Sequence, residues 1–231
     1  MTTVNKTEYE HHETIDMASS HSSDHQTKVL SPAPVAVPPP LFKPGNPAVI
    51  GFSSFAVGSF VLGVYSIGLV SSLPQMVVGT ALGFTGIAQF VSGIFELIIG
   101  NTFAATTMLT YSGFFFSTGI SFAPASGFLE AVMKTEGKEA LDLCIGTFML
   151  GYTVVSILFF LGTLRQPIMI RVLLFEISVA FFLSSLGGLL HMHILSVVGG
   201  WITIAIAVTG WYIMCALLYD ESITPIKVPM F

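Results

Sequence analysis

The sequence predicts an all-α polytopic membrane protein with six transmembrane helices. Three observations carry this. Only 9% of the 231 residues are charged and 53% are hydrophobic, whereas soluble domains are about 25% charged. The mean hydropathy is +0.82. The apolar residues also fall in six runs, at about 47–70, 76–99, 102–124, 140–162, 168–190 and 195–218. Each run holds about 20–24 residues, or ~30–36 Å of helix, enough to cross a bilayer. The formal net charge of −5 argues against a nucleic-acid partner.

Residues 1–45 read as a disordered tail. The tail holds Ser19, Ser20, Ser22, Ser23 and the run SPAPVAVPPP, and lacks the periodic apolar residues that offset ordering entropy. Asn5-Lys6-Thr7 fits a glycosylation sequon that only a lumenal tail would use. His11, His12, His21 and His25 have nothing to fix metal-ligand geometry, so no metal or other cofactor is expected. No secretory signal is visible, and the first span is expected to direct insertion.

The first span should begin at Asn46-Pro47. Asn is a favoured N-cap, and Pro suits the first helical position. With Ala48 and Gly51 these residues form a helix-start motif. The helix N-terminus carries partial positive charge and unpaired N–H groups. Its role is therefore capping alone or capping plus an anion-facing function.

In the second span Gly79, Gly86, Gly93 and Gly100 recur every seven residues, and Gly51 and Gly58 repeat that spacing in the first. Seven residues is about two turns, so each set is predicted to share one helix face. Gly79 and Gly83 add a small-xxx-small pair for close helix packing.

Two carboxylates fall inside spans, Glu96 in the second and Glu176 in the fifth, at what reads as a shared depth. An intramembrane acid is costly to bury. Each is either a proton-binding or inner-mouth group, or a structural group tied to nearby donors. Gln89, Asn101, Thr102, Thr106, Thr107 and Tyr111 form a polar series that would join helices or line a wet path.

Between the third and fourth spans, Ala125–Leu141 holds Glu130, Lys134, Glu136, Lys138 and Glu139, and predicts a short amphipathic interfacial helix. His191-Met192-His193 reads as a polar turn without a third metal ligand. Cys144 and Cys215 lie in apolar runs and read as small hydrophobes. No nucleophile–base arrangement, phosphate loop or zinc-protease motif is visible, so no enzymatic activity is expected. Lys28, Lys43, Arg165, Arg171 and Lys227 fall on one side of the bilayer and Lys134 and Lys138 on the other. Both termini are therefore expected in the cytoplasm, the C-terminal one as a short tail over 220–231.

Three stretches carry a family resemblance. NPAVIGF, from Asn46, resembles the N-P-A-P-L-G-L signature of the acetate uptake transporter family, the succinate–acetate permeases and their fungal relatives. Gly86–Phe116 resembles that family's G-I-A-Q…G-x-x-E…G-N-T-F…Y-x-x-F segment. FFLGTLR and GGWITI fit its later helices, and the long tail is similar to fungal members.

The resemblance implies a six-helix protomer, residues 46–219, in a ring-shaped homo-oligomer, typically a hexamer, with a pore through each protomer. It implies passage of acetate and other short monocarboxylates, with succinate in some members, through a proton-linked transporter or a channel, here in the plasma membrane. It also implies a mid-pore constriction of Phe55, Tyr111 and Ile177. All three lie about 12–14 Å into parallel helices at 1.5 Å per residue, so they can form one ring.

Val49-Ile50 replaces the signature's Pro-Leu, Phe52 its last Leu, and Ile177 the usual Leu, with Glu176 beside it. A sensor of acid adaptation is one alternative reading, and ammonium export another.

Overall fold

The computed structural model describes residues 45–70 and 75–231. The expected disordered tail, with its histidines and Asn5, lies outside them, apart from Gly45.

Asn46 caps α1 (Pro47–Ser66) as its position predicts: Oδ1 accepts from the Ala48 N–H at 3.1 Å, and Pro47 opens the helix. The second run is α2 (Gln75–Thr80), a π-helical turn over Ala81–Thr85, and α3 (Gly86–Ile98). A π turn adds a residue to the helical repeat, rotates what precedes it and frees backbone acceptors. Two hydroxyls tie this turn to its neighbours. Thr85 Oγ1 donates to the Ser54 carbonyl of α1 at 3.0 Å, and Ser112 Oγ of the next helix donates to the Gly86 carbonyl at 2.8 Å.

That rotation corrects the reading of the glycines. Gly86 and Gly93 do face the next helix, where an added Cβ would lie 2.8 Å from Phe116 and 2.7 Å from Leu109. Gly79 and Gly83 lie in open space, because the π turn breaks the seven-residue register. Gly100 is not on the face either. It has φ +86° and ends α3, with Gly100 N–H on the Leu97 carbonyl at 3.1 Å and Asn101 N–H on that of Glu96 at 2.9 Å.

This tight link leads into α4 (Thr102–Phe122), capped by Asn101 Oδ1 on the Ala104 N–H at 3.4 Å. A 3₁₀ turn (Pro124–Ser126) precedes α5 (Phe128–Thr135), the short helix expected there. Three long helices follow: α6 (Gly137–Gly162), α7 (Ile168–Leu189) and α8 (His193–Leu218). Among the described residues five helices are long and apolar enough to cross a membrane: α1, the α2–α3 rod, α6, α7 and α8. The chain is a multi-pass membrane protein. The six spans expected are thus five by this measure: α4 is 21 residues long, but its Thr and Ser residues leave it less apolar than these.

The long helices pack in the order α6, α7, α8, α1, α3, α4. Aromatic rings rather than close backbones bridge α4 to α6, with Phe114 5.0 Å from Tyr152 and 5.7 Å from Phe148 between centroids. Elsewhere small residues set the spacing. A Cβ on Gly51 would meet Ser92 at 2.6 Å, and one on Gly146 of α6 would meet the α7 backbone at Leu189 N, 2.7 Å away. The buried core includes Phe55, Tyr111, Phe114, Leu173, Leu174 and Ile177.

Candidate functional site

Among the described residues, two cavities lie between the long helices. The larger, about 350 Å³, opens among the starts of three helices: Ala48 of α1, Asn101 and Ala104 of α4, and Gln166, Pro167 and Ile170 of α7. The smaller, about 70 Å³, lies among the far halves of α1, α7 and α8, with Ser59, Ser66, Ser184 and Thr203 on its wall. Phe55, Tyr111 and Ile177 are the residues common to both linings. They occupy the ninth or tenth position of α1, α4 and α7, which begin at one end of the bundle.

All three divider residues are buried. Phe55 and Tyr111 stack with centroids 5.8 Å apart, and Phe115 and Phe181 back them at 6.1 Å and 6.3 Å. The Tyr111 hydroxyl donates to Ser156 Oγ of α6 at 3.0 Å, deep in the packing. The divider therefore shows ring faces and an isoleucine, with its one hydroxyl already partnered. Ser156 was not singled out from the sequence, although a hydroxyl in the apolar run of span four was the available signal.

The larger cavity gathers most of the other expected residues. Asn46, Ala48, Gly51, Gln89, Glu96 and Asn101 all line it, as does Thr107. Glu96 is buried, and its Oε2 accepts from Asn101 Nδ2 at 2.7 Å. Asn101 thus serves two elements at once, capping α4 and holding the single acid of α3. Gln89 is buried, and its Oε1 has no protein partner among the described residues. The three converging helix starts bring amide N–H groups and positive dipole ends to the same space. Among the described residues no Lys or Arg lines it. The positive character of this mouth is therefore that of the helix starts, not of basic side chains.

Some expected residues lie elsewhere. Pro47 is absent from both linings, and its carbonyl accepts from Ser92 Oγ of α3 at 2.7 Å, fastening the start of α1. Thr102 and Thr106 are exposed beside the mouth. Glu176 lines neither cavity; it is half-buried, with Thr209 of α8 beside it. Nor do the two acids share a depth, since Glu96 is near the end of α3 and Glu176 is the ninth residue of α7. Leu217 of α8 and Met230, beyond its end, also line the larger cavity without any forewarning in the sequence.

Comparison with known proteins agrees with this architecture. The chain is 31% identical over 180 residues to a Saccharomyces cerevisiae protein named Ammonia transport outward protein 2, covering 78% of this chain and 63% of the relative. It is 28% identical over 195 residues to Acetate permease A of Emericella nidulans, covering 80% and 65%. It therefore spans less than two thirds of the length of either relative. The solved structure of the bacterial acetate channel SatP superposes with a TM-score of 0.71 at 23% identity, over 81% of this chain and all of that one, a likeness of fold. The resemblance carried by Gly86–Phe116 is borne out, because the profile of one family matches residues 29–231. The chain belongs to the GPR1/FUN34/yaaH family.

Proposed function

We propose that this chain passes acetate and other short-chain monocarboxylates, succinate among the candidates, through a pore within each protomer. The observation that carries this reading is the pair of cavities sharing Phe55, Tyr111 and Ile177. A carboxylate enters at the three helix starts, where N–H groups and dipole ends favour an anion. Gln89 offers it a buried amide. The divider then admits a small, partly apolar acid and disfavours strongly hydrated ions. Acetate has one methyl group to lay against rings; a hydrated inorganic ion has none.

Glu96 supplies the proton linkage in this reading. It is the acid in the larger cavity and sits on the carboxylate's path beside Asn101. The sixth span is α4, whose hydroxyls face neighbouring helices: Ser112 bonds to Gly86 and Tyr111 to Ser156. The basic residues support cytoplasmic termini, and the protein works in the plasma membrane as a ring of copies, with a hexamer expected. The names and fold of the relatives support acetate as substrate.

The test is flux in proteoliposomes of the purified full chain, with labelled acetate, lactate and succinate, with and without a pH gradient. Acetate uptake above empty vesicles is expected, faster with an inward proton gradient. No acetate uptake at acidic or neutral pH rules the reading out. The yeast relative's name raises ammonium as a second cargo, and labelled methylammonium in the same vesicles decides between them.

A further inference from the structure

We propose that the segment after α8, residues 219–231, is a built-in strap that covers the mouth of the larger cavity and limits access to it. The segment folds back onto the bundle through a chain of specific bonds. Its first turn is set by Asp220: the Ser222 N–H donates to Oδ1 at 2.8 Å, and the Ile223 and Thr224 N–H groups donate to the carbonyl at 2.9 and 3.0 Å. Lys227 pairs with Glu221 across the turn. The Tyr212 hydroxyl of α8 donates to the Pro229 carbonyl at 2.6 Å. The Ile168 N–H then donates to the Phe231 backbone oxygen at 2.6 Å.

That last bond defines the device. The Ile168 amide is the first of α7, one of the unpaired donors that a helix start offers to an anion. The strap fills it with a backbone oxygen, an acceptor of the kind a carboxylate presents. The adjoining residue, Met230, reaches into the cavity lining beside Ile170 and Leu217. A methionine is flexible and apolar, so it can plug an irregular opening and withdraw. The strap thus occupies one of the three helix starts and part of the space below it. Its anchor at Tyr212 lies outside both cavity linings, which separates the strap from the path it covers. The identity of the ligand held back rests on the acetate reading; the covering itself does not.

The test uses the full chain with Cys144→Ser and Cys215→Ser, and Thr107→Cys as a reporter inside the larger cavity. Labelling of the introduced thiol at position 107 by a membrane-impermeant maleimide is timed in this parent, in Tyr212→Phe and in Met230→Gly. Loss of one anchoring hydrogen bond should speed labelling about 2- to 10-fold in Tyr212→Phe. Removing the plug should also speed it in Met230→Gly, which keeps the test valid if Tyr212→Phe fails to fold. Labelled-acetate flux in proteoliposomes should rise with both. Unchanged labelling in both variants overturns the strap. Faster labelling with flux equal to that of a transporting parent overturns its limiting role. Faster labelling with no acetate flux in any form supports the strap and overturns the acetate reading instead.

Discussion

The two cavities meet at the same three side chains, yet one is about 350 Å³ and the other about 70 Å³. Backbone spacing accounts for the difference. On the small side, Gly63 of α1 packs against the Gly200 carbonyl of α8, and Gly146 of α6 against Gly188 of α7. With no side chain between them, these helices close in on each other and leave little space. The large side is lined instead by bulky side chains, Phe52, Phe103, Leu173 and Leu217 among them. The chemistry divides at the same place. The large side has Gln89, Glu96, Asn101 and three helix starts, whereas the small side has hydroxyls among aromatic rings. The groups proposed to meet an anion or a proton thus lie on one side of the divider. In the proposed pore, selection of the carboxylate and release of it are separate steps in separate spaces.

The contrast is broken most directly at the divider. Phe55→Ala removes the stacked partner of Tyr111 and joins the two spaces. The lactate-to-acetate flux ratio should rise by about tenfold or more, the scale at which an apolar pocket discriminates by size. An unchanged ratio at normal surface expression would mean that selection lies elsewhere. Glu96→Gln comes next. A flux linked to one proton changes by up to about tenfold per pH unit over its steep range. The substitution keeps an acceptor for Asn101 Nδ2 and should flatten the dependence of flux on the pH gradient. A profile as steep as the parent's would make Glu96 a structural group.

Smaller effects sharpen the comparison. Gly146→Val sets a branched side chain against the α7 backbone, where even a Cβ would lie 2.7 Å from Leu189 N. It should lower stability by about 1–3 kcal/mol, read as a fall in melting temperature in detergent, and loosen the small side. A variant as stable as the parent would show that the glycine contact does not set the spacing. Ser156→Ala removes the acceptor of the Tyr111 hydroxyl. The expected cost is about 1 kcal/mol, with the freed hydroxyl turning toward the path and easing passage of a more polar acid such as lactate. Equal lactate flux in Ser156→Ala and parent would leave the bond without a part in selection.

Much of this was readable along the chain. The limits of the long helices were close, because an apolar run of bilayer length is a local property. The Asn46 cap was also readable, because a cap is made by residues two apart. Of the polar series marked by type alone, Gln89, Asn101, Thr107 and Tyr111 reach one cavity, as does the acid Glu96, whereas Thr102 and Thr106 do not. The errors share a cause. Gly79 left the expected face because Ala81–Thr85, just beyond it, form a π turn whose stabilising partners, Ser54 and Ser112, are on other helices. Glu176 adjoins the constriction in sequence but turns toward α8, since neighbours in a helix point about 100° apart.

The sequence by itself determined where helices start and stop, which are apolar enough to span, and which polar residues they carry. Those features depend on composition and on contacts a few residues long. Only the tertiary structure decided how each helix is rotated about its axis. It also decided that the starts of α1, α4 and α7 meet at one mouth, that Tyr111 bonds to Ser156, and that Met230 returns to that mouth. These arrangements join residues tens of positions apart, and side chains of many helices set them together.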